Sequence, residues 1–434
     1  MSIFTSNIEL SSDNYPTIRP TLDLNFAATK TLDHRITFTR DSAGTYVDEL
    51  GIIRYATNNV PRFDHDPTTG ESLGLLIEES RTNQVQYSND GYGLGDAPYY
   101  GNWNSSSYTD NFAVAPDGTT TAWKMTPTSP SASKVKRINV TAGNTYTFSV
   151  WLKKDPSVSV SDGIWDYLKY LITWSQNGST VTSATIEQLV SGSTTSAELT
   201  TEWRRFSVSY TAPANVTSME FGLSNSNSGT GDPGYSVFVW GAQLEEGAFP
   251  TSYIPTNGTT VTRAQDTTII KGTNFTDFYN QTEGTLFGEF TIKNETYSSA
   301  AIANINQEPG SSYANSIMFV EVGNAQGYFG RTYKSSSGIN LSNSSSVLNS
   351  LHPSTTPQKV TFGYTTITGG ELRAYWNGNN VTSSSDLSKV PTTLTNMRIG
   401  RGWDGSDVIN AHIRKLSYYP KRLPDAQLQG LTQQ

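Results

Sequence analysis

The sequence predicts an all-β protein, on three grounds. Apolar and polar residues alternate in several runs: Tyr146, Phe148, Val150 and Leu152 share one face, as do Phe206, Val208 and Tyr210, and Met219, Phe221 and Leu223. Period-two alternation with a single apolar face marks half-buried antiparallel strands. Aromatics make up 11% of the chain, tyrosine the commonest, and β-branched residues fill the periodic segments; both suit a pleated surface. Only 16% of residues are charged, against about a quarter in an average domain. Ser, Thr, Asn and Gly take their place, so hydroxyls and amides wet the surface. This aromatic content argues against disorder.

At 434 residues the chain exceeds one ordinary core and divides into modules. Residues 1–20 are polar and aperiodic apart from Ile8 and Leu10 and read as an arm. Residues 21–87 hold short strands, including a hairpin in which Gly51 supplies the positive φ of a tight loop between Thr45-Tyr46-Val47-Asp48 and Ile52-Ile53-Arg54-Tyr55-Ala56. About 65 residues without a disulfide make a thin core, so this module is expected to pack on its neighbours. Residues 88–258 carry the alternating runs above and read as a sandwich. Their glycine run at Gly91, Gly93 and Gly95 lacks the preceding strand and following helix of a dinucleotide site, so it reads as a loop. Residues 259–434 open with the strong strand Gly284–Lys293. Runs at Lys359–Tyr364 and Glu371–Trp376, an Asn377-Gly378 hairpin signal and Met397–Gly400 follow. The only helix expected is at the end, with Pro424 at its first position and Leu428 and Leu431 turned to the sandwich.

Composition also excludes classes of function. A net charge of −8 and a pI near 5.1 argue against nucleic-acid binding; the short basic clusters Lys134–Arg137 and Lys153–Lys154 read as solvated strand faces. There is no cysteine, hence no disulfide, thiolate nucleophile or thiolate metal site. The N-terminus lacks the basic and apolar stretches of a signal peptide, and no segment approaches the roughly 18 apolar residues of a membrane span.

Two motifs carry a family resemblance. Val60-Pro-Arg-Phe-Asp-His-Asp-Pro67 runs into Thr68-Thr-Gly-Glu-Ser-Leu-Gly-Leu-Leu-Ile-Glu-Glu-Ser-Arg-Thr-Asn83, with Arg19–Phe26 and Phe38–Val47 upstream. Together they resemble the N-terminal module of phage virion fibre and head-spike proteins. Gly143–Lys153, Trp203–Ser207 and Val239–Gly247 resemble a jelly roll of the carbohydrate-binding-module type. Phe249-Pro-Thr-Ser-Tyr-Ile-Pro-Thr256 resembles an exit segment of phage structural proteins, and the third module a laminin-G or concanavalin A-like sandwich. The resemblance implies a tail fibre or spike that joins other virion proteins through residues 21–87. It would assemble with sibling subunits, a trimer by analogy, and present its sandwiches to host-surface glycan. The alternatives are a head decoration, spike or tail component with protein contacts alone, and a polysaccharide depolymerase.

Catalysis finds little footing. The histidines are scattered, and Asp64-His65-Asp66, followed by Pro67 and Gly70, reads as a turn whose Asp side chains accept from nearby backbone N–H groups. Glycan hydrolysis needs two carboxylates roughly 5–10 Å apart; the pairs Glu78-Glu79 and Glu245-Glu246 point to opposite faces of a strand, and Glu289 is alone in its strand. The expectation is a binding protein, not an enzyme. Asp404 and Asp407 are the hard oxygen ligands that calcium takes, and no other cofactor is indicated. A sugar offers an apolar C–H face to an aromatic ring and hydroxyls to amides and hydroxyls. Rings opposite the apolar face of their strand suit it: Trp151, Trp165 and Tyr167, with Trp403 in a glycine-rich loop. Tyr170 and Trp174 share the parity of Ile172 and read as core.

Overall fold

The computed structural model describes residues 14–94, 106–127, 133–157, 169–176, 179–180, 185–188, 199–224, 236–294, 300–307, 315–323, 326–334, 337–341, 356–402 and 407–433. Of the expected arm, residues 1–13 lie outside this set. Strands dominate, and each alternating run is one of them: Thr145–Lys154, Arg204–Thr211 and Ser218–Ser224. Tyr146, Phe148, Val150 and Leu152 turn into one core.

The chain divides into two units rather than three modules: Met1–Leu50, Ala56–Glu79 and Ala264–Gln434 form one, Gly51–Tyr55 and Ser80–Arg263 the other. The expected 21–87 module falls mostly in the first unit. Its strands complete the sandwich of the C-terminal residues, because a segment so short cannot close a core alone. Strand Leu22–Leu24 pairs with Leu416–Tyr418, and Ala411–Ile413 pairs with Leu75–Ile77. Apart from Gly51–Tyr55, the second unit is thus an insertion, in sequence, between Glu79 and Ala264.

In the discontinuous unit, Asn410–Tyr419 and Glu283–Asn294 lie side by side at the centre of an eight-stranded sheet. A seven-stranded sheet, running from Thr37–Thr39 through Asn396–Ile399 and Ala300–Asn306 to Ser337–Leu341, supplies the second layer. Leu75, Ile77, Phe290 and Ile413 of the first sheet share one core with Ile302, Phe319 and Ile399 of the second. The Asn377-Gly378 turn takes the two positive φ values, 45° and 79°, that such a hairpin needs. The terminal helix spans Asp425–Thr432 with Pro424 as its N-cap, and Leu428 and Leu431 pack on Phe287, Tyr375 and Tyr419. Two four-residue helices, Phe26–Thr29 and Thr273–Thr276, were not expected.

The segments Phe38–Val47 and Val60–Asn83 contribute to a buried brace here. Arg62 places Nη1 2.8 Å from Glu78 Oε2 and Nη2 2.5 Å from Asp266 Oδ2, while Arg40 Nη1 reaches Asp266 Oδ1 at 3.1 Å; none of these four side chains meets solvent. Backbone bonds lock the same residues, Asp266 N to Glu78 O at 3.0 Å and Glu78 N to Asp266 Oδ2 at 2.9 Å. The strand leaving this unit and the strand returning to it are therefore fastened together. Of the expected Asp turn, Asp66 behaves as foreseen, its Oδ1 accepting from Thr68 and Thr69 N–H. Asp64 instead accepts from Val47 N–H and sits 2.7 Å from His412 Nε2.

The inserted unit packs a sheet ordered Arg204–Thr211, Thr145–Lys154, Val237–Glu246, Ala122–Pro127, Ser106–Ala113 on another built from Ser133–Asn139, Ser218–Ser224 and Lys169–Gln176. Phe148 meets Phe221 across the layers at 5.2 Å, an arrangement worth about 0.5–1.5 kcal/mol beyond its area. Ile172 and Trp174 are core, as their parity predicts. Arg137 pairs with the buried Glu220 instead of a solvated face. Two motifs that look separate in sequence form one structure. Glu245 holds Thr251 by its N–H at 3.0 Å and its hydroxyl at 2.5 Å, and Gln243 brackets the return with Ile254 N–H at 2.7 Å and Ser252 O at 3.2 Å. Residues 249–256 thus lie across the outward face of the strand that carries Gln243 and Glu245. No described helix is long and apolar enough to cross a membrane.

Candidate functional site

Of the rings expected to meet sugar, only Trp151 lies among the described residues; Trp165, Tyr167 and Trp403 lie outside them, as does Asp404. Trp151 does oppose the core face, yet it is half-buried. Trp240 stands 5.4 Å and Tyr253 5.5 Å away, both edge-on, and the Arg205 guanidinium covers the ring at 4.3 Å. Arg205 is itself fixed, by Thr251 O at 2.6 Å and Ser149 Oγ at 2.9 Å. This ring closes the second face of the sheet and keeps little free surface. Asp407 is half-buried, with its backbone O accepting from Gly402 N–H. Among the described residues no three His, Asp or Glu converge as metal ligands.

The open aromatic surface of the inserted unit lies elsewhere, on residues 112–121. Phe112 is 48% exposed, Val114 60% and Tyr55 52%. The segment that presents them is held at every step. Trp203 donates Nε1–H to Val114 O at 2.9 Å, Trp240 donates Nε1–H to Thr121 Oγ1 at 3.0 Å, and Ile53 N–H bonds Pro116 O at 3.0 Å. Asp117 accepts from the Thr119 N–H and hydroxyl at one oxygen and from Tyr55 Oη at the other, 3.0 Å away. Burial and then the Asp117 charge push the Tyr55 phenol well above its ordinary value, so it stays a donor. Phe112 rests on Phe238 at 5.6 Å, with Lys124 Nζ over its ring at 4.9 Å. Lys124 is anchored 2.7 Å from Asp155. Burial alone would raise the Asp155 carboxyl; Lys124, Ser157 and Ser236 outweigh it and hold it far below the usual range.

These parts can stack an apolar ring face on Phe112 or Tyr55 and offer hydroxyls a carboxylate, an ammonium and Thr119. Period-two reading missed Phe112 because its strand is irregular: the register shifts between Thr109 and Ala113, and Asn111 takes φ 52°. Over that interval this strand runs two residues longer than its partner, and such a bulge interrupts the regular alternation of faces. The asparagine in an otherwise extended run was the available signal. Among the carboxylates considered for hydrolysis, Glu78 is locked in the brace and Glu245 under Thr251, both fully buried.

No family model matches the chain. No curated protein matches it either. Solved structures include likenesses at low scores. One is the Ruminococcus gnavus IT-sialidase CBM40 bound to α2,3-sialyllactose, at 12% identity over 36% of this chain and 84% of that one, TM-score 0.30. Another is the CBM22 tandem domain of Paenibacillus barcinonensis Xyn10C, 10% identical over 78% and 98%, TM-score 0.24. Domain 4 of AbnA, a GH43 arabinanase from Geobacillus stearothermophilus, in complex with arabinotriose, is 13% identical over 43% and 83%, TM-score 0.28. The all-β assignment rests on the strands and registers above, not on these likenesses.

Proposed function

We propose that this chain is a bacteriophage virion protein, a tail fibre or spike, whose inserted sandwich contacts host-surface glycan without catalysis. The discontinuous sandwich, which carries the fibre-like motif, serves attachment to the particle and to sibling subunits. The observation that carries the glycan reading is the exposure of Phe112, Val114 and Tyr55, with Lys124 held against Phe112 and Asp117 against Tyr55. Exposed rings on a segment fixed by hydrogen bonds are pre-organised for stacking, which limits the entropy lost on binding. A single shallow site of this kind would bind near millimolar, about −4 kcal/mol, and several copies on one particle raise that by avidity.

The test is binding of the purified protein to intact host cells and to isolated host polysaccharide. Phe112→Ala and Tyr55→Phe are compared with the parent, and Trp151→Ala reports on the ring boxed in by Arg205. Loss of binding in Phe112→Ala with an unchanged melting profile is expected. If the folded parent binds no cell or polysaccharide but is captured by other virion proteins, the surface is a protein interface. Release of oligosaccharide from the polysaccharide would replace the reading with a depolymerase.

A further inference from the structure

The discontinuous sandwich carries a cleft that the reading above does not use. Its volume is about 410 Å³, within the range of small-molecule sites. Ala28, Glu71, Ser72, Glu289, Arg414 and Lys415 line it. The strand Asn410–Tyr419 shifts register against Glu283–Asn294 between Ile413 and Lys415, leaving Arg414 as the extra residue. Such a bulge re-aims a side chain. Gly74 (φ 90°) lets the neighbouring strand approach, since a Cβ there would strike the Ile413 carbonyl and Arg414 Cα.

Arg414 then organises the cleft. Nε lies 2.9 Å from Glu289 Oε1, Nη2 2.9 Å from Glu71 Oε1, and Nη1 2.8 Å from Ser72 O. Lys415 Nζ is 3.3 Å from Asp23. Every charge at the cleft is met within the protein, so an ionic ligand would have to break a pair to gain one. Each carboxylate nevertheless has about four lone-pair sites, of which Arg414 takes one at the distances above. Ser72 Oγ is shielded from solvent and has no hydrogen-bond partner among the described residues. Two carboxylates fixed by one guanidinium, with a hydroxyl beside them, form an acceptor-rich wall suited to hydroxyl donors.

We infer that this cleft is a saccharide subsite for a neutral, hydroxyl-rich ring, separate from the aromatic surface of the inserted unit. Arg414 is its positioning residue; Glu71 and Glu289 make the contacts. The inference stands apart from the host-glycan proposal, because the two sites share no residue.

The experiment titrates the full chain, by calorimetry and ligand-observed NMR, with methyl glucoside, methyl galactoside and N-acetylglucosamine. Glucuronate and glucosamine serve as charged controls. At least one neutral sugar should bind, and at least ten-fold more weakly to Glu289→Gln. Ala28 is exposed on its helix, so Ala28→Trp fills the cleft from outside and gives the same loss if Glu289→Gln folds poorly. Phe112→Ala should leave this binding unchanged. Absence of binding by every neutral sugar, affinity equal to the parent's in both cleft variants, or preference for a charged control overturns the inference. Binding lost only in Phe112→Ala assigns the signal to the aromatic surface and overturns it as well.

Discussion

Asn304 stands out among single residues. It is fully buried, and neither its Oδ1 nor its Nδ2 has a partner among the described residues. An unsatisfied buried polar group costs about 1–3 kcal/mol, and an apolar replacement of similar shape removes that cost. Asn304→Leu should therefore raise stability by about 1 kcal/mol or more, read as a higher denaturant midpoint at unchanged slope; a lower midpoint would mean the amide is satisfied in solution. His412 makes a second prediction. Burial and the nearby Lys293 charge lower its pKa, against the pull of Asp64. Burial would raise the Asp64 carboxyl, but His412, Lys293 and the Val47 N–H outweigh it and hold it below the ordinary value. Both folded values lie below the unfolded ones, so the unfolded chain takes up protons first as pH falls. The His412 contribution is complete above about pH 6.5 and is lost below it; that of Asp64 is lost below about pH 4. Melting temperatures at pH 7.5, 6.5 and 5.5 should fall steadily, and His412→Gln should flatten that slope.

At the scale of elements, the brace at Glu78, just past strand Ser72–Ile77, shows what local sequence carries. Alternation identified the strands around Phe148 and Phe221, and Asn377-Gly378 identified its hairpin, because those signals depend on neighbours a few residues apart. Partner choice has no such signal. Leu22 pairs with Tyr418 across almost the whole chain, and Arg62 meets Asp266 from 204 positions away. The proposed sites were half legible for the same reason: exposed rings opposite a core face could be sought in the sequence, but the bulge at Asn111 hid Phe112, and the bulge at Arg414 hid the cleft. The brace makes its own prediction. Removing one partner of a buried ionic network leaves the others uncompensated, at about 3–5 kcal/mol. Asp266→Asn should cost that much in denaturant unfolding, whereas Glu49→Gln, whose side chain is exposed beside Lys30, should cost little. Similar losses in the two variants would remove the brace from the account.

For the whole molecule, the fastening of Glu78 to Asp266 makes the inserted unit separable in sequence. The outgoing and returning chains touch at that point, with Asp266 N–H on Glu78 O at 3.0 Å, before Arg81–Asn83 and Val261–Arg263 pair beyond it. Joining Glu79 to Ala264 through two or three glycines closes a short loop, and loop-closure entropy changes only slowly with length. The brace and both sheets of the discontinuous sandwich use no residue from 80 to 263. The excised protein is therefore expected to fold, with a β-type circular dichroism spectrum and one cooperative melt. It should keep neutral-sugar binding at the Arg414 cleft and lose binding to host cells. A molten product would show that the sandwich needs the insertion for its core. A folded product that still binds cells would move the host contact from Phe112 to residues outside 80–263.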